Sequence, residues 1–321
     1  MKNKGYRNAL VLGGGGAKGF AHIGAITKLE EESLRPDVIC GTSSGALAGA
    51  FYSIYREKIE DFKEIEKTRE FNILSKLDLR EVNFEEDKQS IFFKTISTIK
   101  TKLSMVKMLR DTSLLKPNDV TPIFKNLFGD TLFEQLDIPF YAVAFDLVSG
   151  KDVYINSGPL WQGVLASCSI PGIFPPVEYN DMLLVDGGVT NRLPVKCAVL
   201  LGAKNILCVD ISGSTTLQGL LNSVVDIHLR IDTLTTDRFD MYNSRMADLI
   251  VKPNLEDMKW HEFKKHHFAI EKGNYSINEL LPLIKKLRSR TYIYKKNVLA
   301  FFGKNEKKRL KSIEQDSYIF I

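Results

Sequence analysis

Ser43 stands in Gly41-Thr42-Ser43-Ser44-Gly45, directly after the apolar stretch 38–40 and directly before Ala46-Leu47-Ala48-Gly49-Ala50-Phe51. That order reads as strand, sharp turn, helix, with a serine at the apex. A serine hydroxyl is a weak nucleophile at neutral pH and needs exposure and a base. The turn supplies exposure, and Gly41 and Gly45 allow a tight elbow. Ser44 is the neighbouring alternative, without the symmetric glycine spacing. The base is expected to be Asp186, which ends the apolar run 182–185 and is followed by Gly187-Gly188. A carboxylate beside a serine in a water-poor cleft can accept its proton directly.

A third element is Gly13-Gly14-Gly15-Gly16-Ala17-Lys18-Gly19, again between a strand and a helix. Consecutive N–H groups there form an anion-binding nest, and Gly14, Gly15 and Gly16 are the expected oxyanion donors. Lys18 adds positive potential or meets a phosphate-bearing head group, against the plainer role of a solvent-facing lysine. Gly14-x-Gly16-x-x-Gly19 also matches the dinucleotide fingerprint, but the context fails. The next strand runs into Gly41-Thr42-Ser43, not into a ribose-binding acid, and Asp37 precedes that strand. The phosphate-loop pattern fails as well, because Lys18 precedes Gly19. No cofactor and no metal are expected. Among the histidines, His22 falls in the first helix as a packed or hydrogen-bonded residue. His261, His266 and His267 lie in a polar segment and read as surface residues; none sits at a strand end.

The elements that must carry these residues follow from periodicity. Residues 6–12 and 38–40 read as strands, and about 21–32 and 44–55 as helices. The rhythm breaks over 57–128, which reads as a helical, charged insertion or lid. Within it Ile96, Ile99, Leu103 and Val106 recur at helical spacing beside Lys94, Lys100, Lys102, Lys107 and Arg110. This predicts a basic amphipathic helix over 94–110. The core resumes with strands at 140–147, 153–155 and 182–185, a helix at 160–168, a strand at 205–209, a helix at 219–234 and a strand at 249–251. Ser276 and Glu279 form a capping-box pattern ahead of a helix at 280–287. The expected organisation is a catalytic core from 1–56 and 129–210, the insertion, completing elements over 211–291, and a basic tail over 292–321. The predicted fold class is α/β, a three-layer sandwich on a mostly parallel central sheet.

Composition fits a soluble globular chain, with 44% hydrophobic and 26% charged residues in 321. No segment reaches 18 uninterrupted apolar residues, so no spanning helix or signal peptide is expected and cytoplasmic residence is the default. Cys40, Cys168, Cys197 and Cys208 show no metal spacing and read as buried free thiols. The net charge is +5, and Lys285 to Lys311 holds eleven Lys or Arg against one acid, Glu306. That bias suits an anionic membrane surface, through 94–110 and 285–311, against the plainer reading of a solvated face and of a surface helix packing its apolar stripe on the core. Nucleic acid is not an expected partner, because no recognition helix, zinc or aromatic-sheet motif accompanies the charge. Oligomeric state is not legible.

Together these motifs resemble the patatin-like phospholipase family. Gly13 to Gly19 is similar to its glycine-rich oxyanion loop, Gly41 to Gly45 to its nucleophile elbow, and Asp186-Gly187-Gly188 to its dyad motif, in the same order. Ala166-Ser167 with Pro171, Phe174, Pro175 and Pro176, then Asn191 and Pro194, extend the likeness over roughly residues 6–210. The resemblance implies a Ser43–Asp186 dyad, an acyl-enzyme on Ser43, Asn191 as a supporting residue and a lipid ester substrate. Lys18 stands where the family commonly has Arg, keeping charge but losing a bidentate fork. Acyl transfer or thioester cleavage would use the same dyad, and a non-catalytic lipid-binding protein would retain the same fold.

Overall fold

The computed structural model describes residues 5–55, 113, 115–213, 224–289 and 318–321. The amphipathic segment 94–110 and most of the basic region 285–311 lie outside the described residues. Nine strands form one sheet: β1 (Asn8–Leu12), β2 (Val38–Thr42), β3 (Phe140–Asp146), β4 (Lys151–Ile155), β5 (Val177–Tyr179), β6 (Met182–Asp186), β7 (Asn205–Val209), β8 (Leu249–Val251) and β9 (Tyr318–Phe320). Their order is β5-β6-β3-β2-β1-β7-β8, with β4 on β3 and β9 on β4. The pairs joining β3, β2, β1, β7 and β8 are all parallel. The β3–β4, β3–β6 and β5–β6 pairs are antiparallel.

Parallel strands covered on both sides are buried along nearly their whole length and read as mostly apolar runs, as β1, β2 and β7 do. Their side chains alternate between two cores. Leu10, Leu12, Ile39, Ala142, Val153 and Leu207 face one core. Ala9, Val11, Val38, Val143, Tyr154 and Cys208 face the other. The first core is closed by α1 (Phe20–Glu31), α2 (Ser44–Tyr55), α3 (Pro117–Phe128), α4 (Leu160–Cys168) and the later helix His266–Arg288. On the opposite side lie the four-residue α5 (Gly188–Asn191), α6 (Val195–Leu200) and α7 (Val224–Ser244); the helix 266–288 is α8. This is the three-layer α/β sandwich expected from the sequence. All four cysteines are buried and free.

Several expectations shift. The strand at 38–40 runs on to Thr42, so the sheet ends directly under Ser43. The helix expected at 219–234 runs over 224–244. The capping box at Ser276 and Glu279 does not form. One helix continues through it, and Ser276 Oγ bonds back to the carbonyl of Lys272 at 2.8 Å. Ala269, Gly273 and Ile277 bury that continuous stripe, so tertiary packing overrides the local cap signal. His266 is buried against the ring of Phe20 at 5.7 Å, not on the surface. Residues 318–320 form a strand paired in parallel with β4. Among the described residues, no helix is long and apolar enough to cross a membrane.

Asp146 locks the far end of β3. It is 1% exposed. Its carboxylate accepts the N–H groups of Val148, Ser149 and Leu183 and the hydroxyl of Ser149. Burial pushes its pKa up, but those four donors outweigh burial and hold it below the ordinary value. The bond to Leu183 registers β6 against β3. Asp146→Ala removes four hydrogen bonds to a buried carboxylate, from donors that water can partly satisfy, and is expected to cost about 1–2 kcal/mol, measured by urea unfolding at pH 7. Because the folded pKa is depressed, the wild-type carboxylate stabilises above the ordinary value of 3.8 and that contribution fades as pH falls below it. An Asp146→Ala chain as stable as wild type at pH 7 would refute this.

Candidate active site

Three strands bring the nucleophile and its base together. Ala142 and Val143 of β3 pair with β2 on one edge and β4 on the other. Ala144 to Asp146 pair with β4 and β6. Strands β2 and β6 therefore share one edge of β3 and meet end to end. Thr42 lies opposite Val143 and Asp186 opposite Ala144. The residue after Thr42 is Ser43, so adjacent positions on β3 set the two side chains beside each other.

Ser43 has φ 55°, in the left-handed region that a non-glycine residue occupies at a cost. The surroundings fix it there. Its N–H donates to Ser167 Oγ at 3.0 Å, and Ser167 in turn donates to Val143 O at 2.6 Å. Its carbonyl accepts the N–H groups of Ala46 and Leu47 and the thiol of Cys168. A Cβ on Gly45 would fall 2.1 Å from Leu12 O, and one on Gly41 would fall 2.5 Å from Gly45 O. Both flanking positions of the elbow thus exclude any side chain.

Asp186 is 4% exposed and lies beside the Ser43 hydroxyl, close enough for that group to lower its pKa. Its Oδ1 accepts the Gly188 N–H at 2.7 Å. Burial raises its pKa to about 6, with the Ser43 hydroxyl and the Gly188 N–H pulling it back down. The carboxylate is therefore ionised at pH 7 yet more basic than a surface aspartate. Gly187 sits over β3, its absent Cβ only 2.5 Å from Val143 O. Asn191 is fully buried; its carbonyl accepts the Thr42 hydroxyl at 2.9 Å.

The glycine loop rises from β1 beside this pair. Its anchors were not legible in sequence. Gly13 N–H donates to Val209 O, and Gly13 O accepts Nε2–H of His22 at 2.7 Å. His22 is fully buried, and desolvation lowers its pKa to about 4, so it is a neutral donor. Gly14 departs from its expected role. Its N–H donates to Arg192 O at 2.9 Å and is not available to an oxyanion. What Gly14 provides is closeness, since its absent Cβ would lie 3.2 Å from Ser43 Cβ. Gly15 and Gly16 are half-buried, and no protein acceptor takes their N–H groups among the described residues. Gly16 has φ 58°, and a Cβ there would fall 2.4 Å from Trp260 O, which also accepts Ala17 N–H. Lys18 is half-buried against Gly213; burial, then Arg192 and Lys252, lower its pKa. It does not line the pocket described next.

A pocket with a cavity volume of about 110 Å³ opens at Ser43 and Gly16. Its wall is almost wholly apolar, with Ile23, Leu47, Phe51, Phe124, Phe174 and Phe263. Leu47 and Phe51 lie one and two turns beyond Ser43 on α2, so the pocket extends along that helix. Such a wall suits a hydrocarbon chain whose reacting end is at Ser43.

Comparison with known proteins identifies the family. A family model described as patatin-like phospholipase matches residues 10–199. An uncharacterized NTE family protein of Mycobacterium tuberculosis (strain H37Rv) is 32% identical over 209 residues, covering 65% of this chain and 50% of the relative. Patatin-like phospholipase domain-containing protein 7 of Rattus norvegicus is 32% identical over 205 residues, covering 63% of this chain and 13% of that protein. The chain thus spans about half the length of the mycobacterial relative and a small part of the rat one. Among solved structures, VipD from Legionella pneumophila aligns over 87% of this chain and 67% of its own, at 14% identity and a TM-score of 0.45. Since the family model covers more than half of the 321 residues, the chain belongs to the patatin-like phospholipase family.

Proposed function

We propose that the protein is a serine acyl hydrolase that releases fatty acids from lipid esters through Ser43 and Asp186. The observation that carries this is the Ser43 hydroxyl, set beside the buried Asp186 carboxylate at the mouth of an apolar pocket. Ser43 Oγ attacks the ester carbonyl while Asp186 takes its proton. The N–H groups of Gly15 and Gly16 hold the developing oxyanion. Collapse of the tetrahedral species breaks the bond to the alcohol, which leaves with the proton from Asp186. Water then attacks the acyl-serine as Asp186 again accepts a proton; the bond from the acyl carbon to Ser43 Oγ breaks, Asp186 returns the proton to Oγ, and the fatty acid departs. The apolar wall holds the acyl chain, so binding energy from the chain orients the carbonyl.

Ser43→Ala and Asp186→Asn are each expected to lower kcat at least about a thousandfold without unfolding the chain. Released fatty acid, read by mass spectrometry over phospholipids, lysophospholipids, monoacylglycerols and short aryl esters, measures this and names the preferred class. Activity that survives both substitutions would disprove the dyad.

Asp186 works as a base only when ionised. Its pKa near 6 therefore sets the acid limb of kcat/KM. The rate is expected to reach its plateau above pH 7 and to fall about tenfold per pH unit below 6. A limb near pH 4, the value of an unshifted aspartate, would show that Asp186 is not the titrating base.

A further inference from the structure

Asp152 is a buried carboxylate that the mechanism leaves unused. It lies on β4 opposite Phe145 and is 8% exposed. Its Oδ1 accepts the hydroxyl of Thr190 at 2.7 Å, and its Oδ2 accepts Nδ2 of Asn191 at 3.2 Å. Lys196 of α6 approaches Oδ2 at 3.7 Å. Thr190 and Asn191 are the last two residues of α5, the short helix directly after Asp186 and Gly187. At its other end, α5 presents the Gly188 N–H to Asp186 Oδ1 at 2.7 Å. The Asn191 carbonyl accepts the Thr42 hydroxyl, one residue before Ser43.

A four-residue helix cannot hold its own geometry. It closes a single i,i+4 bond, Asn191 N–H to Gly187 O, and nucleating one turn costs more than one bond returns. Its orientation must come from outside. Burying a carboxylate is also expensive, by several kcal/mol, unless its oxygens are satisfied. Asp152 meets both conditions, since each oxygen grips one residue of the turn.

We infer that Asp152 is a positioning residue for the Ser43–Asp186 pair, acting through Thr190 and Asn191 to aim the Gly188 N–H at Asp186 and the Asn191 carbonyl at Thr42. The inference rests on the dyad proposed above. The groups around it are consistent with a fixed anchor. Lys196 is its cationic neighbour, Tyr154 donates no charge, and the ring of Tyr318 on β9 lies under Lys196 at 5.8 Å. Cys168 of α4 is the other titratable neighbour of Asp186, and burial keeps its thiol protonated.

The test is a titration of Asp186 by ¹³C NMR in the full chain labelled at aspartate carboxyl carbons, with Asp186→Asn to assign the signal. Wild type, Asp152→Asn and Thr190→Val are compared. Weakening the Gly188 bond removes a donor worth about 1 kcal/mol, so the Asp186 midpoint is expected to rise by about 0.7 pH units in both variants. On a short aryl ester, kcat is expected to fall about 10–100-fold with KM within about twofold, the scale on which residues that orient a reacting group act. Thr190→Val removes one donor from a half-buried site and keeps the test open if Asp152→Asn does not fold. An unmoved Asp186 midpoint in a folded variant overturns the inference, even where thermal stability drops, because that would make Asp152 structural only. If wild type releases no acid while the midpoint still moves, the proposed function fails and the positioning role stands.

Discussion

Strand β3 is the member on which the site depends, because one of its edges serves two other strands in turn. β2 pairs with its first half and β6 with its second, from opposite directions. An edge can offer its N–H and C=O groups to only one neighbour at each position, so β2 must stop where β6 arrives. Their ends therefore abut at Val143 and Ala144, and the chain must turn out of the sheet at both. One exit is the serine elbow; the other is Asp186 and its glycine turn. The carbonyl of Val143, freed where the pairing changes, is taken up by the Ser167 hydroxyl, which in turn holds the Ser43 N–H.

Around that junction the protein carries local costs that the packing sustains. Ser43 holds a left-handed backbone, and Asp186 is a carboxylate out of water with its pKa raised to about 6. Each would relax in isolation. Ser43 is held through both its N–H and its carbonyl, and Asp186 through the Gly188 N–H and its own N–H to Ser169 O. The same burial that makes Asp186 costly makes it basic enough to accept a serine proton. Stability and reactivity are linked here through desolvation.

The glycine loop shows the same logic in backbone form. His22, Val209, Arg192 and Trp260 come from four separate parts of the chain, and each binds one peptide group of residues 13–17. Among the described residues no protein acceptor claims the N–H groups of Gly15 and Gly16, and Gly16 lines the pocket. Arg192 is itself held by Asp237 and Asp240 of α7, so a helix far along the sequence braces the loop.

What the sequence determined by itself is local. Glycines flanking Ser43 and following Asp186 mark places where a side chain cannot fit, and that constraint is written in residue type. Strand and helix periods are likewise carried by neighbours within a few residues, so Leu160–Cys168 and Asn205–Val209 are legible as elements. Tertiary structure decided whatever depends on a distant partner. The Gly14 N–H is occupied because Arg192 O reaches it, and no spacing around Gly14 records that. Ser276 reads as a helix cap, yet lies inside α8 because the stripe it belongs to is buried against α1 and the first core. Among the described residues, the strand at 318–320 pairs with β4, more than 160 residues earlier. Short-range signals specify which conformations the backbone tolerates; which hydrogen-bonding groups remain free for chemistry is settled only when the sheet is assembled.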